Sequence, residues 1–159
     1  MSRAGRIRKA LCGRIGPREM FVFLRRRVPE NGPLKAAVIG AGAFGRHHAA
    51  KYDALPGVDL IAIVDPNAEA RRAIPAAYGA QALADWRNLP GKVDLVSICS
   101  PAVTHADLAR TFLNAGAHVL VEKPIATSAE DANGLVRLSR ETGRVLTAGH
   151  QERFVFARL

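Results

Sequence analysis

This chain has little cysteine, few aromatics and no long apolar run, and each shortage narrows what it can be. Only two of its 159 residues are cysteine, Cys12 and Cys99. That is too few for a disulfide framework, and a reducing, cytoplasmic compartment fits. Cys99 lies in an apolar run and reads as a small core residue. No eighteen consecutive apolar residues occur, so no segment reads as a membrane span. No Cys/His spacing suggests zinc and no Ser-His-Asp arrangement is visible, so no metal is expected. Acidic residues are scarce in one region only. Residues 1–33 carry nine Lys or Arg against Glu19 and Glu30, whereas the remainder carries fourteen against twelve. The formal net charge of +9 therefore belongs mostly to the leader, and nucleic acid is not the expected partner.

The leader, residues 1–33, shows little hydrophobic periodicity. Its apolar piece from Met20 to Leu24 is too short for a secretory core, and Arg25 to Arg27 follow that piece instead of preceding it. A disordered extension is favoured over a targeting peptide or a nucleic-acid arm. Pro29-Glu30-Asn31-Gly32-Pro33 marks its end.

From residue 34 the chain has the length for one sizeable core and not for two full domains. Ala36 to Ile39 reads as a buried parallel strand. It runs into Gly40-Ala41-Gly42-Ala43-Phe44-Gly45, and Ala43 to Leu55 has helix-forming composition. Gly40 permits the tight turn, Gly42 lets a pyrophosphate approach the backbone, and Gly45 lets helix and strand pack closely. Phosphates would rest on the unpaired N–H groups at the helix start. The bland alternative is a glycine-rich turn without a ligand.

Strands and helices then alternate. Val58 to Val64 is a second strand, and Asp65 or Asn67 caps a helix over Ala68 to Tyr78, which Pro75 should end or kink. Ala80 to Leu83 is a short third strand and Asp94 to Cys99 a fourth. A helix follows from Thr104, its N-cap, to Ala115, where Gly116 stops it. Ala117 to Val121 is a fifth strand, Ser128 to Thr142 a helix opened by a near capping box and closed by Gly143, and Val145 to Ala148 a sixth strand. This pattern predicts an α/β fold: a doubly wound parallel sheet of about six strands with helices on both faces. In such folds the ligand crevice lies outside the carboxyl ends of the strands.

Functional residues are therefore expected just after the strands. Asp65, twenty residues past Gly45, suits the adenosine ribose hydroxyls and would repel a 2′-phosphate, which favours NAD over NADP. A turn or cap residue is the competing reading. Arg71 and Arg72 read as solvated helix residues. Ser100-Pro101 redirects the chain and offers a hydroxyl, and His105 is placed in the first turn of the next helix, facing the cleft mouth. Glu122-Lys123-Pro124 ends an apolar strand with two opposite charges. Lys123 there can present its ammonium to a substrate oxygen, stabilising charge or relaying a proton, and a surface ion pair is the alternative. Gly149-His150-Gln151-Glu152-Arg153-Phe154 is polar where a chain would leave one domain. His47 and His48 read as solvated.

Taken in order, these segments resemble the glucose–fructose oxidoreductase, inositol dehydrogenase and rhizopine-catabolism family, Gfo/Idh/MocA. The resemblance covers about residues 34–154 and implies a dinucleotide-binding Rossmann domain there, with 155–159 beginning a substrate domain that the chain lacks. By it, Gly40, Gly42, Ala43, Phe44 and Gly45 would face the pyrophosphate and Asp65 the ribose. Ser100, Pro101 and His105 would line the nicotinamide side, and Glu122 would hold the nicotinamide ribose. Lys123 would be the catalytic residue, beside Pro124 with a frequent cis bond, and His150 and Gln151 would lie near the nicotinamide. The implied activity is NAD(P)-dependent hydride transfer to or from a sugar, cyclitol or nucleotide-sugar carbinol. Val155-Phe156 replaces the family's usual Asn-Pro. By the resemblance a substrate half is expected to be missing, so the chain alone is expected to be inactive, and an uncovered apolar surface would favour self-association into a homo-oligomer. The alternative is a non-catalytic dinucleotide-binding regulatory or interaction module.

Overall fold

β-Branched and aliphatic runs flanked by turn residues build six strands. They are β1 (Leu34–Ile39), β2 (Val58–Val64), β3 (Gln81–Leu83), β4 (Leu95–Ile98), β5 (His118–Val121) and β6 (Leu146–Ala148). The computed structural model describes residues 32–74 and 76–150. The expectations for the leader up to Asn31, for Pro75 and for residues 151–159, Gln151 among them, lie outside the described residues.

All six strands pair parallel in the order β3-β2-β1-β4-β5-β6. The order reverses between β1 and β4, which opens a crevice at their carboxyl ends. Neighbours along β1 point to opposite faces. Ala37 and Ile39 join a core with Val96, Ile98, Phe112 and Leu135, whereas Val38 packs with Ala49, Leu60 and Ile63 on the other side. Phe112 is wholly buried, a side chain of a size that stabilises by about 1.5–3 kcal/mol.

Among the described residues four α-helices flank the sheet: α1 (Ala43–Asp53), α2 (Ala68–Arg72), α3 (His105–Asn114) and α4 (Ala129–Thr142). At the start of α4 the Ser128 hydroxyl accepts the Asp131 N–H at 3.0 Å and donates to Asp131 Oδ2 at 2.8 Å. The carboxylate thus returns to the cap hydroxyl and not to the cap backbone N–H of a full capping box. Gly143 ends the helix at φ +65°, where a Cβ would be strained.

Two helical expectations need correction. The helix expected to reach Tyr78 ends at Arg72, and Ala76–Tyr78 is a separate 3-10 turn. Asn67 accepts from Glu69 N–H at 2.8 Å, and Ala70 and Ile74 pack against the Val38 cluster, so the early stop matches the proline at position 75, which disfavours helical backbone just before it. Thr104 stands at the N-cap position of α3, but its side chain makes no cap bond. Its hydroxyl donates back to the Pro101 carbonyl at 2.7 Å, closing a 3-10 turn over Ala102–Thr104.

Candidate dinucleotide site

β1 delivers the chain to Gly40, which adopts φ +100°. A Cβ there would lie 2.6 Å from the Cys99 carbonyl oxygen, because the loops after β1 and β4 nearly touch at the reversal. Gly45, one turn into α1, sits so close to the Gly40 carbonyl that a Cβ would stand 1.7 Å from its oxygen. Gly42 differs from both: nothing lies within 4 Å of its would-be Cβ. It is the N-cap of α1, without a side-chain cap and without an acid in the first turn. The first N–H groups of a helix have no intrahelical partner, and these lie behind open space, an arrangement that suits an anion.

A cleft of about 1000 Å³ runs along these strand ends. It brings together Gly40, Gly42, Asp65, Ser100 and Pro101 from the sequence reading. Asp65 Oδ2 accepts the Ala41 N–H at 2.8 Å and Oδ1 accepts the Asn67 N–H at 2.8 Å. The carboxylate therefore braces the glycine loop from the end of β2, and each oxygen keeps acceptor capacity for a ligand hydroxyl. The turn reading and the ligand reading of Asp65 are compatible in this geometry.

Arg71 corrects the expectation of a solvated side chain. It is half-buried, and Nη1 donates to the carbonyls of Asp65 at 2.6 Å and Pro66 at 3.0 Å. Arg72 is exposed as expected. The far wall of the cleft was missed by sequence reasoning. It is built by Trp86 and Arg87, in a stretch with no periodicity to mark it. Arg87 lies 5.6 Å from the Trp86 ring centroid and pairs with Asp85 at 2.8 Å. The Arg87 backbone N–H, 3.0 Å from Oδ1, and then the Arg87 guanidinium hold the exposed Asp85 carboxyl below its ordinary range.

After β4, Ser100 Oγ lies 2.7 Å from Thr104 Oγ1. Thr104 spends its one hydroxyl hydrogen on Pro101, so Ser100 is the donor and keeps only acceptor capacity for a ligand. His105 corrects the expectation of a ring at the cleft mouth. It is only 1% exposed. Its Nδ1 lies 2.7 Å from the Pro124 carbonyl and its Nε2 2.7 Å from the Ser100 carbonyl. It is a strut between the loops that follow β4 and β5.

Glu122 ends β5 and is 7% exposed, whereas Lys123 and His150 are exposed. The Lys123–Pro124 bond is cis. His48 is the third correction: it is not solvated, and its Nε2 lies 2.8 Å from Glu122 Oε1. His47 is exposed, as expected. Phe44, His47, His48 and Lys51 line a second recess of about 460 Å³. Ala43 and Gly45 lie in the first turn of α1, and Glu122, Lys123, Pro124 and His150 lie beyond β5 and β6, outside the main cleft. Cys99 is half-buried, and burial with the nearby Glu122 charge pushes its thiol up to about 12.

Comparison with known proteins decides the family. The profile of the oxidoreductase family with an NAD-binding Rossmann fold, GFO_IDH_MocA, matches residues 34–150. The chain belongs to the Gfo/Idh/MocA family. It is 38% identical over 124 residues to the 4-carboxy-2-hydroxymuconate-6-semialdehyde dehydrogenase of Sphingobium sp., covering 76% of this chain and 39% of that enzyme. The UDP-N-acetylglucosamine 3-dehydrogenase of Acidithiobacillus ferrooxidans superposes with a TM-score of 0.70 at 36% identity, over 76% of this chain and 40% of that one. GenD2 from gentamicin A biosynthesis, solved in complex with NAD, superposes with a TM-score of 0.70 at 33% identity, over 74% of this chain and 34% of that one. The chain thus spans about two fifths of the length of the first of these relatives. Among the described residues no helix is long and apolar enough to cross a membrane, and no group of three or more His, Cys, Asp or Glu could hold a metal ion.

Proposed function

We propose that this chain is the nucleotide-binding part of an NAD-dependent oxidoreductase acting at a CH–OH carbon of a sugar, cyclitol or nucleotide sugar. One observation carries the reading: open space at Gly42, the uncapped start of α1 and the Asp65 carboxylate meet at one cleft across the β1/β4 reversal. The substrate class draws support from the UDP-sugar relative, and the cofactor from the NAD complex of GenD2.

The residues present fit a dinucleotide. The α1 N–H groups would take the pyrophosphate, Asp65 the adenosine ribose hydroxyls, and the Ser100 oxygen a further hydroxyl. The preference for NAD over NADP follows from charge. A 2′-phosphate would meet Asp65, and the nearby cations are engaged, Arg71 with two backbone carbonyls and Arg87 with Asp85. Nicotinamide, when bound, supplies the hydride chemistry. Glu122 would orient the nicotinamide ribose, and Lys123 would hold a proton at Nζ for the substrate oxygen. Because the chain spans two fifths of its relatives, binding and not turnover is the first property to test.

Fluorescence titration with NADH and NADPH provides that test. The unsubstituted chain should bind NADH at least tenfold more tightly, and Asp65→Ser should narrow the ratio. Tighter binding of NADPH by the unsubstituted chain would refute the ribose assignment.

A further inference from the structure

The His48–Glu122 contact is part of a buried chain that dinucleotide contacts alone leave unexplained. The Glu122 side chain is 9% exposed and that of His48 17%. His48 Nδ1 lies 3.1 Å from Ser97 Oγ, which lies 2.9 Å from Tyr52 Oη. Ser97 is fully buried, and burial pushes the Tyr52 phenol up. The four residues come from α1, β4 and the end of β5. On the β6 side Gly149 closes the site, since a Cβ there would come within 2.8 Å of Glu122 Oε1. A carboxylate taken out of water needs a hydrogen-bonding partner, and His48 supplies it.

Ser97 Oγ donates its one hydrogen to Tyr52 Oη, so it can only accept from His48 Nδ1. His48 Nε2 faces Glu122 Oε1, where an N–H on that nitrogen donates to the carboxylate. His48 also lies six residues beyond Gly42, roughly 9 Å along the same helix. One rigid element therefore carries both the phosphate-facing turn and the group that holds Glu122.

We infer that His48 is a positioning residue of the cofactor site: it fixes the Glu122 carboxylate for the nicotinamide ribose, and Ser97 and Tyr52 fix the ring. The inference rests on the proposed reading of Glu122 as the partner of that ribose.

The test uses the full 159-residue chain with two probes: NADH, and ADP, which lacks the nicotinamide ribose. His48→Leu should weaken NADH at least tenfold and leave ADP within twofold. Glu122→Gln should weaken NADH similarly, and the double variant should be no weaker than the weaker single one. His48→Gln, whose amide N–H reaches the place of Nε2, should retain most NADH affinity. His48→Asn, whose amide reaches only the place of Nδ1, should lose it. The Gln and Asn pair decides the matter even if the Leu variant does not fold. An unchanged NADH affinity in His48→Asn, equal losses for ADP and NADH, or independent losses in the double variant would overturn the inference. Absence of NADH binding by the unsubstituted, cooperatively folded chain would instead overturn the cofactor reading beneath it.

Discussion

Two glycines three residues apart should fail in opposite ways when each is replaced by alanine. Gly45 lies inside α1, where alanine is intrinsically favoured by about 1 kcal/mol. Its Cβ, however, would stand 1.7 Å from the Gly40 carbonyl oxygen, and ordinary C···O contacts are about 3.3 Å or longer. The loop would have to open by roughly 1.5 Å. It has nowhere to retreat: the Gly40 N–H is bonded to Val64 at 2.7 Å, and the Gly40 Cβ position already abuts the Cys99 carbonyl. Overpacking of this kind costs about 1–3 kcal/mol and occasionally more, so a net loss of about 2 kcal/mol is expected. That should lower the thermal midpoint by roughly 6–12 °C. Gly42→Ala meets nothing within 4 Å and has an ordinary φ of −65°. As an N-cap change it should cost at most about 1 kcal/mol, or roughly 5 °C. Its new methyl occupies the space in front of the α1 N–H groups, so NADH affinity should fall at least tenfold. Circular dichroism melts and NADH titrations on the same samples separate the two effects. A Gly42→Ala chain that binds NADH normally would refute the assignment of that space, and an unchanged melt for Gly45→Ala would refute the packing argument.

Two further predictions concern titrating groups. With the Cys99 thiol at about 12, roughly one part in ten thousand is thiolate at pH 8, so peptide mapping should find Cys99 unlabelled by iodoacetamide in the folded chain and labelled in guanidinium. Rapid labelling of Cys99 under native conditions would contradict this. The His118 imidazole is held below 6.5, first by burial and then by Arg144, with Asp94 opposing. Its contribution to stability is full above about 6.5 and is lost as the pH falls through the lower folded value. The Asp131 carboxyl, lowered by Ser128 and Arg110, acts the same way below about 3.8. The midpoint should therefore fall as the pH drops below about 6.5 and again below about 3.8, with the first fall reduced in His118→Gln, and a midpoint that rises on acidification would contradict the assignment.

Much of this architecture is legible in the amino-acid order because it is local. Six apolar runs, each followed within three residues by glycine, proline or a charged residue, appear as strands within one or two residues of their expected ends. The Gly40–Gly45 turn appears where strand gives way to helix. The misreadings of His48 and His105 and the missed Trp86 and Arg87 share one cause, contact across long sequence separation, whereas Arg71 and Thr104 bond carbonyls only a few residues away. His48 has helix-surface neighbours in sequence, and only the folding of β4 and β5 against α1 brings Ser97 and Glu122 to it. His105 reads as a first-turn residue, yet its two carbonyl partners belong to different loops. Trp86 and Arg87 lie in an irregular stretch whose role depends on β3 pairing beside β2. The early end of α2 has a local origin: the proline at position 75 disfavours helical backbone just before it, although Ala70 and Ile74 still pack on the core.

The most direct test of the account is thermal unfolding of the full chain alone, with NAD and with NADP. A ligand at about one hundred times its dissociation constant adds roughly 2.7 kcal/mol, which should raise the midpoint by about 5–15 °C. A rise with NAD that exceeds the rise with NADP is the predicted result. A cooperative transition that neither nucleotide moves would contradict the assignment of the cleft.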